Sequence, residues 1–171
     1  VYISNITSEQ IQRLKKLDFI KNIYQPAETK CILFKTANRY PCESFPLSQR
    51  DMIGADKLHL NGYTGNGILI CVMDNGFPGV EKIDAFQPLY QSNRIIATKN
   101  LLDGTEDVYH TGNHGTSVMS NIAAYLPGAI HGTAYGASFL LARTEIDSIE
   151  SPLEMFLWTQ AAEWADSIGA D

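Results

Sequence analysis

The chain has 171 residues, 44% of them hydrophobic and 19% charged, which suits a globular protein with room for one domain and an appended piece. A net charge of −6 argues against a nucleic-acid surface, which needs clustered Lys and Arg. No apolar run approaches the roughly 18 residues that a membrane span requires.

No signal peptide is visible, and a start on Val1 leads us to expect a processed or trimmed N-terminus. Cys31, Cys42 and Cys71 have neither metal-ligand spacing nor a Cys-x-x-Cys pair. Cys71 reads as a small buried hydrophobe. Cys31 and Cys42 have the option of a disulfide that nothing in the sequence requires, so the redox compartment stays open.

In chain order, Val1 to Ile6 alternates weakly, as a short strand would. Thr7 and Gln10 have the form of a capping box, with Ile11, Leu14 and Leu17 following at helical spacing. Phe19, Ile20 and Ile23 predict a strand ended by Pro26, and Lys30 to Lys35 predicts another. Such a piece is too small to bury much core alone. Nothing in it looks catalytic. A polar stretch with Pro41 and Pro46 marks a boundary, dividing the chain into residues 1–45 and 46–171. Short helices are expected from Ser48 to Met52 and from Ala55 to Leu60. The glycines of Asn61 to Gly67 precede the next strand, the reverse of a dinucleotide-binding order.

Ile68 to Met73 is six apolar residues in a row, the pattern of a strand buried on both faces. It runs into Asp74, followed by Asn75-Gly76 as a turn. Carboxyl ends of strands in open parallel sheets are where ligands and chemistry collect, so Asp74 is a candidate functional acid. Capping the turn is its bland alternative. Phe77 to Gln91 reads as irregular, Asn93 to Ala97 as a strand, and Leu101 to Asn113 as a polar loop. Asn113 is a suitable N-cap for a helix beginning His114-Gly115-Thr116-Ser117. Val118, Met119, Ile122, Ala123 and Leu126 form its apolar face, and Pro127-Gly128 stops it. His114 then sits in the first turn, at the positive end of the helix dipole.

Gly132 to Gly136 is a tight loop, and Ala137 to Ala142 another buried strand. Ser151, Pro152 and Glu154 predict a helix start with a capping box. Leu153, Phe156, Leu157, Ala161, Trp164, Ala165 and Ile168 make a wide stripe that predicts core packing, with Gly169 ending the helix. After Ala170-Asp171 the alternating pattern predicts a next strand, before which the 171 residues stop.

Four segments in this order resemble the subtilisin-like serine proteases. Tyr63 to Gly76 is similar to the segment around that family's catalytic aspartate. His114-Gly115-Thr116-Ser117-Val118-Met119 is similar to its His-Gly-Thr-x-Val-Ala block, and Asp before His matches the family's Asp–His–Ser order. Gly132 to Ser138 resembles the Gly-Val-Ala-Pro-Gly-Ala-x segment, and Glu163 to Asp171 the helix leading to the substrate-binding strand. Residues 7–23 resemble the tail of a prosegment that assists folding and inhibits the enzyme until cleaved.

The resemblance implies an α/β fold with a parallel sheet flanked by helices, preceded by a small α+β prosegment-like piece. It implies a serine endopeptidase acting on peptide or protein substrates, secreted or in the cell envelope. Asp74 would orient His114, which would take the proton from a serine. The family carries that serine in a Gly-Thr-Ser-Met-Ala block, and no such block occurs in these residues. Ser117 lies inside the histidine motif, where bonding to the helix backbone is the simpler role. The oxyanion asparagine is likewise expected beyond Asp171.

The chain is therefore expected to be inactive alone, with the missing C-terminal part of the catalytic domain as a partner. The alternatives are a non-catalytic binding or scaffold domain, or one chain of a two-chain protease. Departures from the family are the 40-residue separation of Asp74 and His114, Asn75 where Thr or Ser is usual, and Met119-Ser120 in place of Ala-Gly. No cofactor is required. Structural calcium at Asp103, Glu106 and Asp107 competes with a simply solvated loop. A metal set of His110, His114 and Asp74 lacks a further spaced ligand.

Overall fold

A computed structural model of the chain describes residues 6–20, 22–23, 52–147 and 151–171. Helix α1, Ser8–Leu14, opens on the expected capping box. The Thr7 amide donates to Gln10 Oε1 at 2.8 Å, and the Gln10 amide to Thr7 Oγ1 at 3.3 Å. The strand expected over Phe19 and Ile20 is absent: the Ile20 amide closes a turn onto the Leu17 carbonyl, and Phe19 is exposed. Ile6, at the end of the first expected strand, is not in a strand. Residues 1–5, 30–35, the boundary at 37–46, Cys31 and Cys42 lie outside the described residues, as does most of the helix expected from Ser48.

Three parallel strands carry the rest. They are β1, Leu69–Asp74, β2, Ile95–Asn100, and β5, Ser138–Arg143, in the order β1-β5-β2. The last strand in sequence is thus the middle one in space, and its Phe139, Leu140, Leu141 and Ala142 are fully buried. This is why Phe139 to Ala142 is wholly apolar. Register aligns Leu69 with Ser138 and Asp74 with Arg143, so β1 and β5 end side by side. At the start of β1, Leu69 exchanges bonds with Asp171, whose amide donates to the Leu69 carbonyl at 3.0 Å and whose Oδ2 accepts from the Leu69 amide at 2.9 Å. The chain returns to the sheet edge at the point where the sequence predicts a further strand.

Helix α2 is Ala55–Leu60, and the glycines that follow it serve close packing. A Cβ on Gly65 would meet Ala134 and Ala137 at 3.1 Å, and the Gly136 amide donates to the Thr64 carbonyl. The stretch 77–91 is not irregular. It forms a 3-10 turn, Asp84–Phe86, and helix α3, Gln87–Gln91, and buries Phe77, Val80, Phe86 and Leu89. Pro88 does not break α3 because it lies in the first turn, where no amide is needed.

Helix α4, His114–Ile122, ends four residues before Leu126, the last position of the expected apolar face. The loop after it supplies the amides that the last carbonyls lack: Thr133 donates to Asn121 and Ala134 to Ile122. Leu126 instead belongs to a small antiparallel pair, β3, Tyr125–Leu126, with β4, Ile130–His131. Helix α5, Pro152–Ile168, has Ser151 Oγ accepting from the Leu153 amide. Glu154 does not complete the capping box. Its carboxylate accepts from the Ile146 amide at 2.9 Å and ties the preceding loop to the helix.

The stripe on α5 is narrower than predicted. Leu157, Ala161 and Ala165, four apart, are buried, whereas Phe156 and Ile168 are exposed. A single row at this spacing is what one helix lays onto a narrow sheet; flanking rows need further neighbours.

Cys71, in β1, is half-buried, and burial pushes its thiol up to about 11 from 9.0. Its protonated form is favoured in the fold, so its stabilising contribution is complete below pH 9 and disappears as pH rises towards 11. In a Cys71→Ala variant, urea midpoints measured from pH 7 to 11 are expected to fall less steeply with pH than those of the parent. Parallel curves would contradict the burial.

Candidate active site

The end of β1 and the start of α4 meet at Asp74 and His114. Asp74 is 4% exposed, at the end of a strand that is not buried on both faces as the sequence predicts. Val72 is buried with it, while Leu69, Ile70, Cys71 and Met73 are half-buried on an edge strand of the described sheet. Its Oδ1 accepts from the Asn75 amide at 2.8 Å, which fixes the carboxylate against its own turn. The ring nitrogen Nδ1 of His114 lies 2.9 Å from Oδ2 and 3.1 Å from Oδ1. An ionised carboxylate only accepts, so Nδ1 carries the proton and Nε2 holds the lone pair. The His114 side chain is 69% exposed, against 6% for that of Asp74. One partner is anchored and desolvated, while the other offers its second nitrogen to the outside.

Forty residues separate the two, and glycines bring them back together. A Cβ on Gly76 would lie 1.6 Å from the Thr111 carbonyl oxygen, so the loop before α4 presses directly on the turn after β1. The Phe77 amide donates to the Val108 carbonyl at 2.8 Å, continuing that contact. Gly115 is the tightest joint. A Cβ there would sit 2.3 Å from the Gly76 oxygen, 2.8 Å from Phe77 Cε1 and 3.0 Å from Asp74 Cβ. The His-Gly pair thus has a steric reason: the histidine reaches the aspartate only if the next residue has no side chain.

Asn113 occupies the N-cap position of α4, but its side chain makes no capping bond. Its carbonyl accepts from the Ser117 amide at 3.2 Å and from Ser117 Oγ at 3.1 Å. The Ser117 hydroxyl is therefore engaged with its own helix backbone. Capping passes to Asn75, whose Oδ1 accepts from the Gly115 amide at 3.4 Å while its Nδ2 donates to Asp147. In sequence Asn75 reads as a turn residue with Gly76 and as a departure from Thr or Ser. Its bridging role was invisible, because both partners come from distant parts of the chain. Arg143 was also missed; its Nε donates to the Asn75 carbonyl at 2.9 Å. Of the other departures, Met119 is fully buried in the core, and Ser120 Oγ donates to the Ser117 carbonyl.

His110 does not join the pair. It contacts Asp107 at 2.5 Å, on the exposed loop. Asp103 accepts from the Thr105 hydroxyl at 2.7 Å and amide at 2.9 Å, and these bonds hold its carboxyl below the usual carboxylate range. Among the described residues no group of three or more His, Cys, Asp or Glu side chains is placed to hold a metal ion, and no helix is long and apolar enough to cross a membrane.

No protein-family model matches the chain, and no curated protein matches by sequence. Solved structures do match. The crystal structure of MycP1 with its N-terminal propeptide removed, a mycosin of the subtilisin-like serine proteases, aligns with 71% of this chain at 17% identity and a TM-score of 0.54. The chain spans 34% of that neighbour's length. The fold is α/β and subtilisin-like, with a parallel three-stranded sheet flanked by helices.

Proposed function

We propose that this chain is the aspartate- and histidine-bearing part of a serine endopeptidase. The observation that carries the reading is the Asp74–His114 contact, 2.9 Å from Oδ2 to Nδ1, at the strand end and helix start of a subtilisin-like fold. In this reading His114 Nε2 accepts the proton of a serine hydroxyl as the oxygen attacks a peptide carbonyl. Asp74 keeps the ring in the required tautomer and stabilises the imidazolium that forms. The proton then passes to the leaving amine, and water repeats the cycle on the acyl-enzyme.

The nucleophile of this triad lies outside the 171 residues, as do the oxyanion donors. Residues 1–45 are the prosegment-like tail in the same proposal, and the substrate is a peptide or protein met outside the cell or in its envelope. The chain alone is inactive.

A fluorophosphonate probe tests the reading, because it reports a serine activated by its histidine rather than turnover of any one substrate. Applied to the full-length protein, it is expected to label one serine beyond Asp171 and none within residues 1–171. Labelling of Ser117, or labelling that persists when His114 is replaced by alanine, would overturn the assignment.

A further inference from the structure

The side chain of Asn75 meets three separate segments beside the Asp74–His114 pair, and the proposed mechanism gives it no part. It presses on the loop ahead of α4 where only a hydrogen fits: a Cβ on Gly112 would lie 2.2 Å from Asn75 Oδ1 and 2.5 Å from Cγ. The same Oδ1 accepts from the Gly115 amide at 3.4 Å. Gly112 and Gly115 stand on either side of His114 in the chain, so one side chain braces the backbone that carries the imidazole. The backbone of Asn75 is held as well. Its amide donates to Asp74 Oδ1 at 2.8 Å, and its carbonyl accepts from Arg143 Nε at 2.9 Å. Carboxylate and imidazole are thus tied to the same residue.

Asp147 orients the Asn75 amide. An ionised carboxylate accepts and does not donate, so the Asn75 group that faces it is the NH₂. Oδ1 is thereby turned to the Gly115 amide. With Asp147 gone the side chain is free to turn over, and an NH₂ would then meet the Gly115 N–H, donor against donor. Nothing local substitutes, because Asn113 makes no capping bond. The Ser or Thr usual at the position of Asn75 in the resembling family has a shorter side chain with a single hydroxyl, and does not bridge both partners.

We infer that Asn75 and Asp147 are positioning residues for His114, an assignment that rests on the endopeptidase reading and deepens it. Asp147 fixes which way the Asn75 amide faces, and the amide holds the first turn of α4 where Nδ1 reaches Asp74. Both act through the imidazole. The loop after β5, 72 residues along the chain from Asn75, thereby bears on the proton acceptor.

The test is a double-mutant cycle in the full-length protein, with Asn75→Ala, Asp147→Ala and the pair. It is read by the rate of fluorophosphonate labelling, which involves no peptide, and by proton NMR of the His114 Nδ1–H, assigned by its loss in His114→Ala. Asn75→Ala is expected to slow labelling about 10- to 100-fold, the cost of a displaced catalytic group. The Nδ1–H resonance, held downfield by the bond to Asp74, is expected to move upfield or to be lost to exchange. Asp147→Ala is expected to slow labelling about tenfold, and by less than about twofold once residue 75 is alanine. Asp147→Asn keeps an acceptor oxygen and is expected to stay within about threefold of the parent. Asp147 is exposed, so its two variants decide the matter even where Asn75→Ala does not fold. An unchanged rate and resonance in Asn75→Ala overturns the inference, as do effects of the two alanines that multiply, or Asp147→Ala labelling as fast as the parent. Failure of the endopeptidase reading looks different: no serine is labelled in any variant or in the parent, while the resonance still changes in Asn75→Ala.

Discussion

Replacing Asp74 with asparagine is expected to lower kcat of the full-length protein by about 10⁴-fold while leaving the fold in place. The amide has the carboxylate's shape, so it fits the buried site and still accepts from the Asn75 amide, now 2.8 Å from Oδ1. What changes is the other atom. An NH₂ group facing His114 Nδ1 favours the tautomer with its proton on Nε2, the nitrogen that must be bare to receive a proton. The charge that stabilises the imidazolium is lost as well. Peptide hydrolysis gives the rate, and circular-dichroism melting confirms that the variant folds. A loss of less than tenfold with normal melting would mean that Asp74 merely closes a turn, the bland alternative raised by its position alone.

Gly115→Ala is expected to damage both stability and activity, against what helix propensity says. Glycine inside a helix costs about 1 kcal/mol relative to alanine, so on propensity the substitution would stabilise. Here the new methyl group meets the Gly76 carbonyl oxygen at 2.3 Å and Phe77 Cε1 at 2.8 Å. The oxygen belongs to backbone and Phe77 is fully buried, so neither neighbour moves cheaply. Overpacking of this kind costs about 1–3 kcal/mol, which outweighs the propensity gain over most of that range. The first turn of α4 must lift from β1, and His114 lifts with it. We expect a lower urea midpoint together with a fall in kcat larger than the change in KM, since what is lost is the alignment of the proton acceptor. A variant as stable and active as the parent would show that α4 does not need this close approach.

The two elements that carry the candidate site were legible for local reasons. The apolar run before Asp74 is long and unbroken, and its end is marked by Asn75-Gly76. His114 was placed at a helix start by the shift to helical periodicity after it. Errors fell where a rule of thumb met a local exception. Pro88 suggested irregular chain but occupies the position in a helix where proline is tolerated. Glu154 stood at a capping-box spacing, yet its carboxylate found the Ile146 amide instead. Leu126 continued a helical pattern that the amides of Thr133 and Ala134 had already brought to an end. The wide stripe on α5 gave its buried row correctly, but not its width, because width depends on how many neighbours surround a helix.

By itself, then, the sequence determined the periodicities, the turns and the identity of an acid at a strand end and an imidazole at a helix start. Those depend on residues close together in the chain. It did not determine that β5 would lie between β1 and β2, which puts Thr144 against the Asp74 carbonyl. Nor did it determine that Asn75 would bridge α4 and Asp147, or that Gly76 and Gly115 would be the surfaces on which β1 and α4 touch. Only the tertiary structure decided these, since each is a contact between segments tens of residues apart, fixed by packing and hydrogen bonding across the fold. The 2.9 Å between Asp74 and His114 is such a contact. The sequence supplied both groups; the missing side chain of Gly115 lets them meet.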